Sequence, residues 1–271
     1  MAGVKLPKSN KYDFNRSLVK RHKLAPLLDR HLGTETENFI FTYEPKKSDD
    51  GWHPSGACTP NATDLHKMVV SPEKKEWGTA MLKTFMVGHF WHQWLQNAVL
   101  ELELAAPEAI EVRGVRGWGE KVEVGIDRHW VDFPEYNPEM WYKPHQWATG
   151  AGDIAPCTIP GHGDYVIDFK TMSGQQYRQA SIPAWAADKY EAQINIYMSF
   201  FDLEQGIIMA VCKDSPHEFK EFEYRRNQPL IDMIYDKWEF VGACLEEDEV
   251  PCELDNEMFS LDGLFTGPVA Q

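Results

Sequence analysis

The sequence predicts an α/β fold, a central mixed β-sheet flanked by helices. Three observations carry that prediction. Residues 165–169 and Gly206–Val211 are short, nearly continuous apolar runs bounded by turn residues, the pattern of strands buried on both faces. Residues 72–104, 184–201 and 229–245 are longer stretches with helical spacing of apolar groups. The resulting order is helix, three strands, helix, two strands, helix, which suits a sheet covered on its faces by helices.

The first helix is predicted from Pro72 and Glu73, where proline and an early acid both favour a helix start. It runs to about Leu104, with Gly78 and Gly88 as weak points and Phe85, His92, Leu95, Val99 and Leu102 on one face. A strand follows at about Val122–Ile126, and Asp132–Pro144 reads as an irregular insertion. Gly150–Ile154 and Tyr165–Lys170 read as two strands joined through Pro160-Gly-His-Gly-Asp164. A helix over Ala184–Phe201 places Gln193 and Tyr197 on one face, four residues apart. Two short strands, Gly206–Val211 and Phe219–Tyr224, lead to the last helix at Pro229–Leu245.

These boundaries divide the chain into a basic N-terminal arm (1–50), one folded domain (51–245) and an acidic, solvated C-terminal tail (246–271). The arm is expected to be mobile or loosely packed, with one helix near Ser17–His31. The chain has 271 residues, 43% of them hydrophobic, enough for a sizeable core. No apolar run is long enough to span a bilayer, and residues 1–8 lack the apolar core of a secretion signal. A cytoplasmic protein with no membrane association is expected. The net charge is −15, although residues 1–30 carry eight Lys and Arg against two Asp and Glu. An overall charge of that sign excludes a general nucleic-acid coat protein. It leaves room for an enzyme with a local basic groove, whose DNA binding is weak and strongly salt-dependent. Five scattered cysteines (58, 157, 212, 244 and 252), none in Cys-x-x-Cys spacing, read as free thiols.

The chemistry concentrates between Gly150 and Lys170. Asp168 and Lys170 are two apart on a strand and so share a face. If the hairpin centres on Pro160-Gly161, Asp153 stands opposite Asp168; if it centres on His162, the two are offset by three residues and need a bulge to meet. Directly opposite carboxylates come within about 5 Å. Like charges that close require a cation between them, and an oxygen-rich site suits Mg²⁺ or Mn²⁺. Lys170 beside them can stabilise developing negative charge or orient a water. His92, on the inward face of the long helix, can add a nitrogen ligand, which favours Mn²⁺.

Gly88-His-Phe-Trp-His92, Gly150-Ala-Gly-Asp153, Asp168-Phe-Lys-Thr171 and Gln193-Ile-Asn-Ile-Tyr197 occur in this order over residues 78–225. Together they resemble the RecB-like branch of the PD-(D/E)XK nucleases, and most closely the phage exonucleases related to the CRISPR-associated four-cysteine nucleases. His53-Pro-Ser-Gly-Ala-Cys58 resembles an early cysteine-bearing element of that group. The resemblance implies a restriction-endonuclease-like core and a metal-dependent DNA exonuclease of phage replication or recombination. It implies that His92, Asp153, Asp168 and the Phe169 carbonyl hold the metal. Lys170 then acts on the attacking water or the phosphate, and Gln193 and Tyr197 shape the site and contact the DNA backbone. DNA is the expected partner, with a replication or recombination protein and self-assembly as further expectations. The iron–sulfur members carry three clustered late cysteines. A cluster here requires Cys58 to join Cys212, Cys244 and Cys252, which are widely spaced.

Simpler readings stand beside these. Asp168-Phe-Lys170 alone is a weak signal, because such triplets are common on solvated strands. His92 alone reads as a core histidine. His89 and His92 have zinc-like spacing but lack an acidic partner of the His-Glu-x-x-His kind. Gln193 and Tyr197 fit a polar stripe on a packed helix, and Gly161 with Gly163 fits a plain turn. Trp147 and Trp185 are candidates for base stacking. Arg178, Lys189, Arg225 and Arg226 are candidates for phosphate contacts. A binding protein that keeps the nuclease scaffold without catalysis is the rival function.

Overall fold

The computed structural model describes residues 23–32, 52, 54–57, 59, 61–70, 79–117, 123–126, 147–177, 184–213 and 219–269. Cys58, Arg178, the Asp132–Pro144 insertion and most of the basic arm lie outside them, as do the side chains of Trp147 and Trp185.

Seven helices and six strands are described: α1 (Ala25–Leu32), α2 (Ala62–Val70), α3 (Thr79–Glu101), β1 (Ile110–Gly117), β2 (Glu123–Ile126), β3 (Trp147–Ile159), β4 (Gly163–Met172), α4 (Gly174–Tyr177), α5 (Ala184–Phe200), β5 (Gln205–Cys212), β6 (Phe219–Arg225), α6 (Gln228–Glu246) and α7 (Glu253–Met258). The strands form one sheet in the order β2-β1-β3-β4-β5-β6. Only β4 and β5 run parallel, joined by the crossover through α5; every other pair is antiparallel. The expected mixed sheet covered by helices is the fold observed.

A side chain in a strand alternates between faces, and the two faces of β4 serve two cores. Tyr165, Ile167 and Phe169 pack with Trp91, Leu95 and Val99 of α3 and with Leu24 and Leu28 around α1. Val166 packs with Ile194, Met198 and the α6 residues Ile231, Ile234 and Trp238. The helix α6 begins where Pro229 sits in its first turn and the Asn227 side chain accepts a hydrogen bond from Leu230 N–H.

Several elements depart from the sequence reading. The strand β1 was not expected, nor was α2. Phe85, placed on the His92 stripe, is exposed with Met86, Val87 and Phe90; from Lys83 onward, burial on α3 begins at Trp91. The start of the chain is docked where it is described: Glu221 accepts the backbone N–H groups of Lys23, Leu24 and Ala25, and Lys23 Nζ pairs with Glu223 at 2.6 Å. The segment from 246 onward is no solvated tail. It forms α7, buries Leu261, and returns to β6 through Val269 N–H and the Glu223 carbonyl at 2.7 Å. Its acids face solvent while Leu261, Leu264 and Phe265 pack on the α6 core, so acidic composition concealed a packed segment.

Candidate functional site

The site forms where β3 and β4 pair. Their turn centres on Gly161, with Ile159 opposite Gly163 and Cys157 opposite Tyr165. Gly161 and Gly163 have φ of 78° and 97°, a conformation that favours glycine. Continued unchanged, that register would set Asp153 against Phe169. A bulge between Ile154 and Cys157 shifts it by one residue, so that Ile154 faces Ile167. The next residues along, Asp153 and Asp168, are thereby opposed. Pro156 lies within the bulge, where its missing N–H costs no ladder bond. The turn thus lies between the two centres considered from the sequence, and the bulge supplies the difference.

Both oxygens of Asp153 are engaged. Oδ1 lies 3.0 Å from His92 Nδ1, and Oδ2 accepts the Phe169 backbone N–H at 2.6 Å. Gln96, one turn beyond His92 on α3, donates from Nε2 to the Asp153 carbonyl at 3.4 Å. Burial opposes ionisation of Asp153, but the His92 charge and hydrogen bond, Lys170 and the Phe169 N–H together hold its pKa at about 2. Burial likewise opposes a charged His92, and Asp153 more than offsets it, so the imidazole is raised above its usual range.

Asp168 behaves differently. It is almost fully buried, and burial, together with the Asp153 charge, raises its pKa despite Lys170. Lys170 Nζ stands 2.7 Å from Asp168 Oδ2. Lys170 Nζ also lies 5.4 Å from the Tyr190 ring centroid. Burial would lower the lysine, but Asp168 and then Asp153 raise it, so it stays charged.

On α5, Gln193 Nε2 donates to the Tyr197 hydroxyl at 3.0 Å. Burial, and then the Asp168 charge, raise that phenol, which remains neutral. The structure therefore brings His92, Asp153, Asp168, Phe169 and Lys170 together, with the Gln193–Tyr197 pair on the helix behind. Sequence reasoning missed Gln96 and Tyr190. Gln96 follows His92 at helical spacing, a signal available in the sequence; nothing in the sequence pointed to Tyr190.

Other candidates fall elsewhere. Arg225 pairs with Glu223 at 3.1 Å, and Arg226 with Asp202 at 3.0 Å. Arg225 stands opposite Gln205 in the β5–β6 ladder, whereas Lys170 stands level with Ala210, so these arginines lie at the other end of the sheet from the site. Lys189 is one turn before Gln193 on α5. Cys212 lies in β5, Cys244 in α6 and Cys252 at the start of α7. Among the described residues, no group of three or more His, Cys, Asp or Glu stands close enough to hold a metal ion, His89 included. Also among these residues, no helix is long and apolar enough to cross a membrane.

No known family model matches the chain, and no curated protein matches it. Among solved structures, SSO0001 is similar at 16% identity and a TM-score of 0.42, with 87% of each chain covered. The alkaline exonuclease LHK-Exo from Laribacter hongkongensis is similar at 13% identity and a TM-score of 0.40, with 73% of this chain and 89% of that one covered. LHK-Exo in complex with dAMP gives 12% identity and a TM-score of 0.42 over the same shares.

Proposed function

We propose that the chain is a metal-dependent nuclease that hydrolyses DNA phosphodiester bonds. The observation that carries this reading is the pair of opposed carboxylates, Asp153 held by His92 and Asp168 almost fully buried, with the Lys170 ammonium 2.7 Å from Asp168. An ion pair that is buried, with its acid at a raised pKa, is costly in a purely structural role.

The donor set fits a hard divalent ion. Mg²⁺ keeps several waters and needs only one or two carboxylates from a protein, so three converging side chains are not required. Asp153, Asp168 and the Phe169 carbonyl would hold it, with His92 on Asp153 as support or as a further ligand. When bound, such an ion supplies Lewis-acid stabilisation of phosphoryl charge and a more acidic water. The remaining chemistry belongs to the chain. His92 and the Phe169 N–H keep Asp153 ionised and oriented. Lys170, whose ammonium lies 2.7 Å from Asp168, would offer that ammonium to an attacking water or to a phosphate oxygen. Tyr197, neutral and fixed by Gln193, donates its hydroxyl toward the DNA backbone.

The four ordered motifs support the finer reading, an exonuclease of phage replication or recombination. One observation favours the rival, a silent scaffold that acts by binding: His92 and Lys170 already neutralise both carboxylates. The two part on a single experiment. End-labelled linear DNA and circular DNA are incubated with the protein and Mg²⁺ or Mn²⁺, beside Asp168→Ala and Lys170→Ala. Cleavage of linear DNA alone, stopped by chelator and reduced at least a hundredfold in both variants, is the expected result. Equal cleavage by all three would sink the assigned site, and none by the wild type would favour the silent scaffold.

A further inference from the structure

The helix α5 carries polar residues at 191, 193, 195 and 197, all buried. At about 100° per residue, positions 191 and 195 share one side and 193 and 197 nearly the opposite one. Gln193 and Tyr197 bond each other on the side of the site. Glu191 and Asn195 bond the C-terminal third of the chain. Glu191 Oε1 accepts Thr266 N–H at 2.7 Å and its hydroxyl at 3.0 Å, and Oε2 accepts Gly267 N–H at 2.8 Å. Asn195 Oδ1 accepts Asn227 N–H at 2.7 Å, and Asn227 Nδ2 donates to the Leu264 carbonyl at 2.7 Å. Gly267 has φ of 73°, so the backbone conformation that presents its N–H to Glu191 favours glycine.

We propose that residues 261–269 are a strap that sets the rotation of α5, with Glu191 as the positioning residue for the Gln193–Tyr197 pair. A helix pressed on a sheet by apolar contacts retains freedom to roll, because those contacts are not directional. Three hydrogen bonds to one carboxylate on its far side remove that freedom. The strap thereby couples residues some seventy positions away in sequence to the geometry beside Asp168. The catalytic consequence rests on the nuclease reading; the structural one does not.

The test compares Glu191→Gln, which turns one acceptor into a donor, with Thr266→Val and with Ile159→Val, a change in the core on the opposite face of the sheet from α5 and the strap. All are assayed well below their melting temperatures. Expected are a roughly tenfold fall in kcat with KM for DNA unchanged in Glu191→Gln, a smaller fall in Thr266→Val, and wild-type kcat in Ile159→Val. Amide hydrogen exchange over residues 190–198 should rise at least tenfold in Glu191→Gln and stay at the wild-type rate in Ile159→Val. Unchanged exchange in Glu191→Gln would overturn the proposal, as would an equal kcat loss in Ile159→Val. The exchange measurement needs no substrate. A wild type without nuclease activity would therefore refute the function and leave the strap to be decided by exchange alone.

Discussion

Asp153 and Asp168 face each other across one strand pair, yet their environments push them in opposite directions. Asp153 falls from its ordinary 3.8 to about 2, so its stabilising contribution is present above the ordinary carboxylate range and is lost as pH falls through about 2. By linkage this is worth about 2 kcal/mol at neutral pH. Asp153→Asn should therefore lower stability by about that amount at pH 7, and by progressively less toward pH 2, as read from denaturant midpoints across pH. An equal loss at every pH would place the effect in packing rather than charge. The raised pKa of Asp168 has the reverse sign: its contribution is present at low pH and is lost as pH rises through its folded value, so at pH 7 the ionised form is a cost. Replacing a buried ion pair by neutral groups of similar volume is commonly neutral or stabilising by about 1–4 kcal/mol, whereas removing one partner costs about 3–5 kcal/mol. Asp168→Asn with Lys170→Met should melt at or above the wild type, and Lys170→Met alone below it. The opposite ranking would show that this pair is retained for stability rather than for chemistry.

At the scale of elements, the position of α5 depends on a glycine. A Cβ built on Gly206 would meet Ile194 Cγ1 at 2.5 Å, closer than packed atoms approach. Gly206→Ala is expected to cost about 1–3 kcal/mol by overpacking and to lower kcat as α5 is pushed from the sheet. A melt coinciding with the wild type would mean that α5 does not rest on β5 at that point. Locality of the underlying pattern separates what was legible in the sequence from what was not. The elements α5, β5, β6 and α6 lie within about two residues of their predicted bounds, because their apolar spacing and flanking prolines act over a few neighbours. The strand β1 was hidden because Gly114-Val115 breaks its alternation, and its longer pairing is with β3, about thirty residues on in sequence. The co-location of Asp153, Asp168 and Lys170 was foreseeable from strand periodicity, but the facing pair depends on a one-residue bulge that no periodicity reveals. The strap was missed because Leu261, Leu264 and Phe265 are dispersed among acids, and their polar anchor, Glu191, reads as an ordinary helix surface residue.

The whole molecule poses an electrostatic problem for the proposed substrate: a chain of net charge −15 must approach a polyanion. Residues 246–271 contain eight Asp and Glu and no Lys or Arg, and the Arg225 and Arg226 side chains are paired with acids. Two opposing salt effects follow, and their ranges decide between them. Repulsion from the acidic body acts over tens of ångströms, whereas the Debye length is about 10 Å at 0.1 M salt, so most of that field is already screened. Contacts of Lys170 and its neighbours with phosphates act at bonding distance and release counterions, with log K falling by about 0.9 per log salt for each phosphate held on duplex DNA. For two or three such contacts, kcat/KM should fall about ten- to fortyfold between 50 and 200 mM monovalent salt at fixed divalent metal. Lys170→Met, measured on its residual activity, should flatten that slope by about one contact. A rate that rose with salt would show that long-range repulsion dominates and that the acidic body, rather than the site, governs access to DNA.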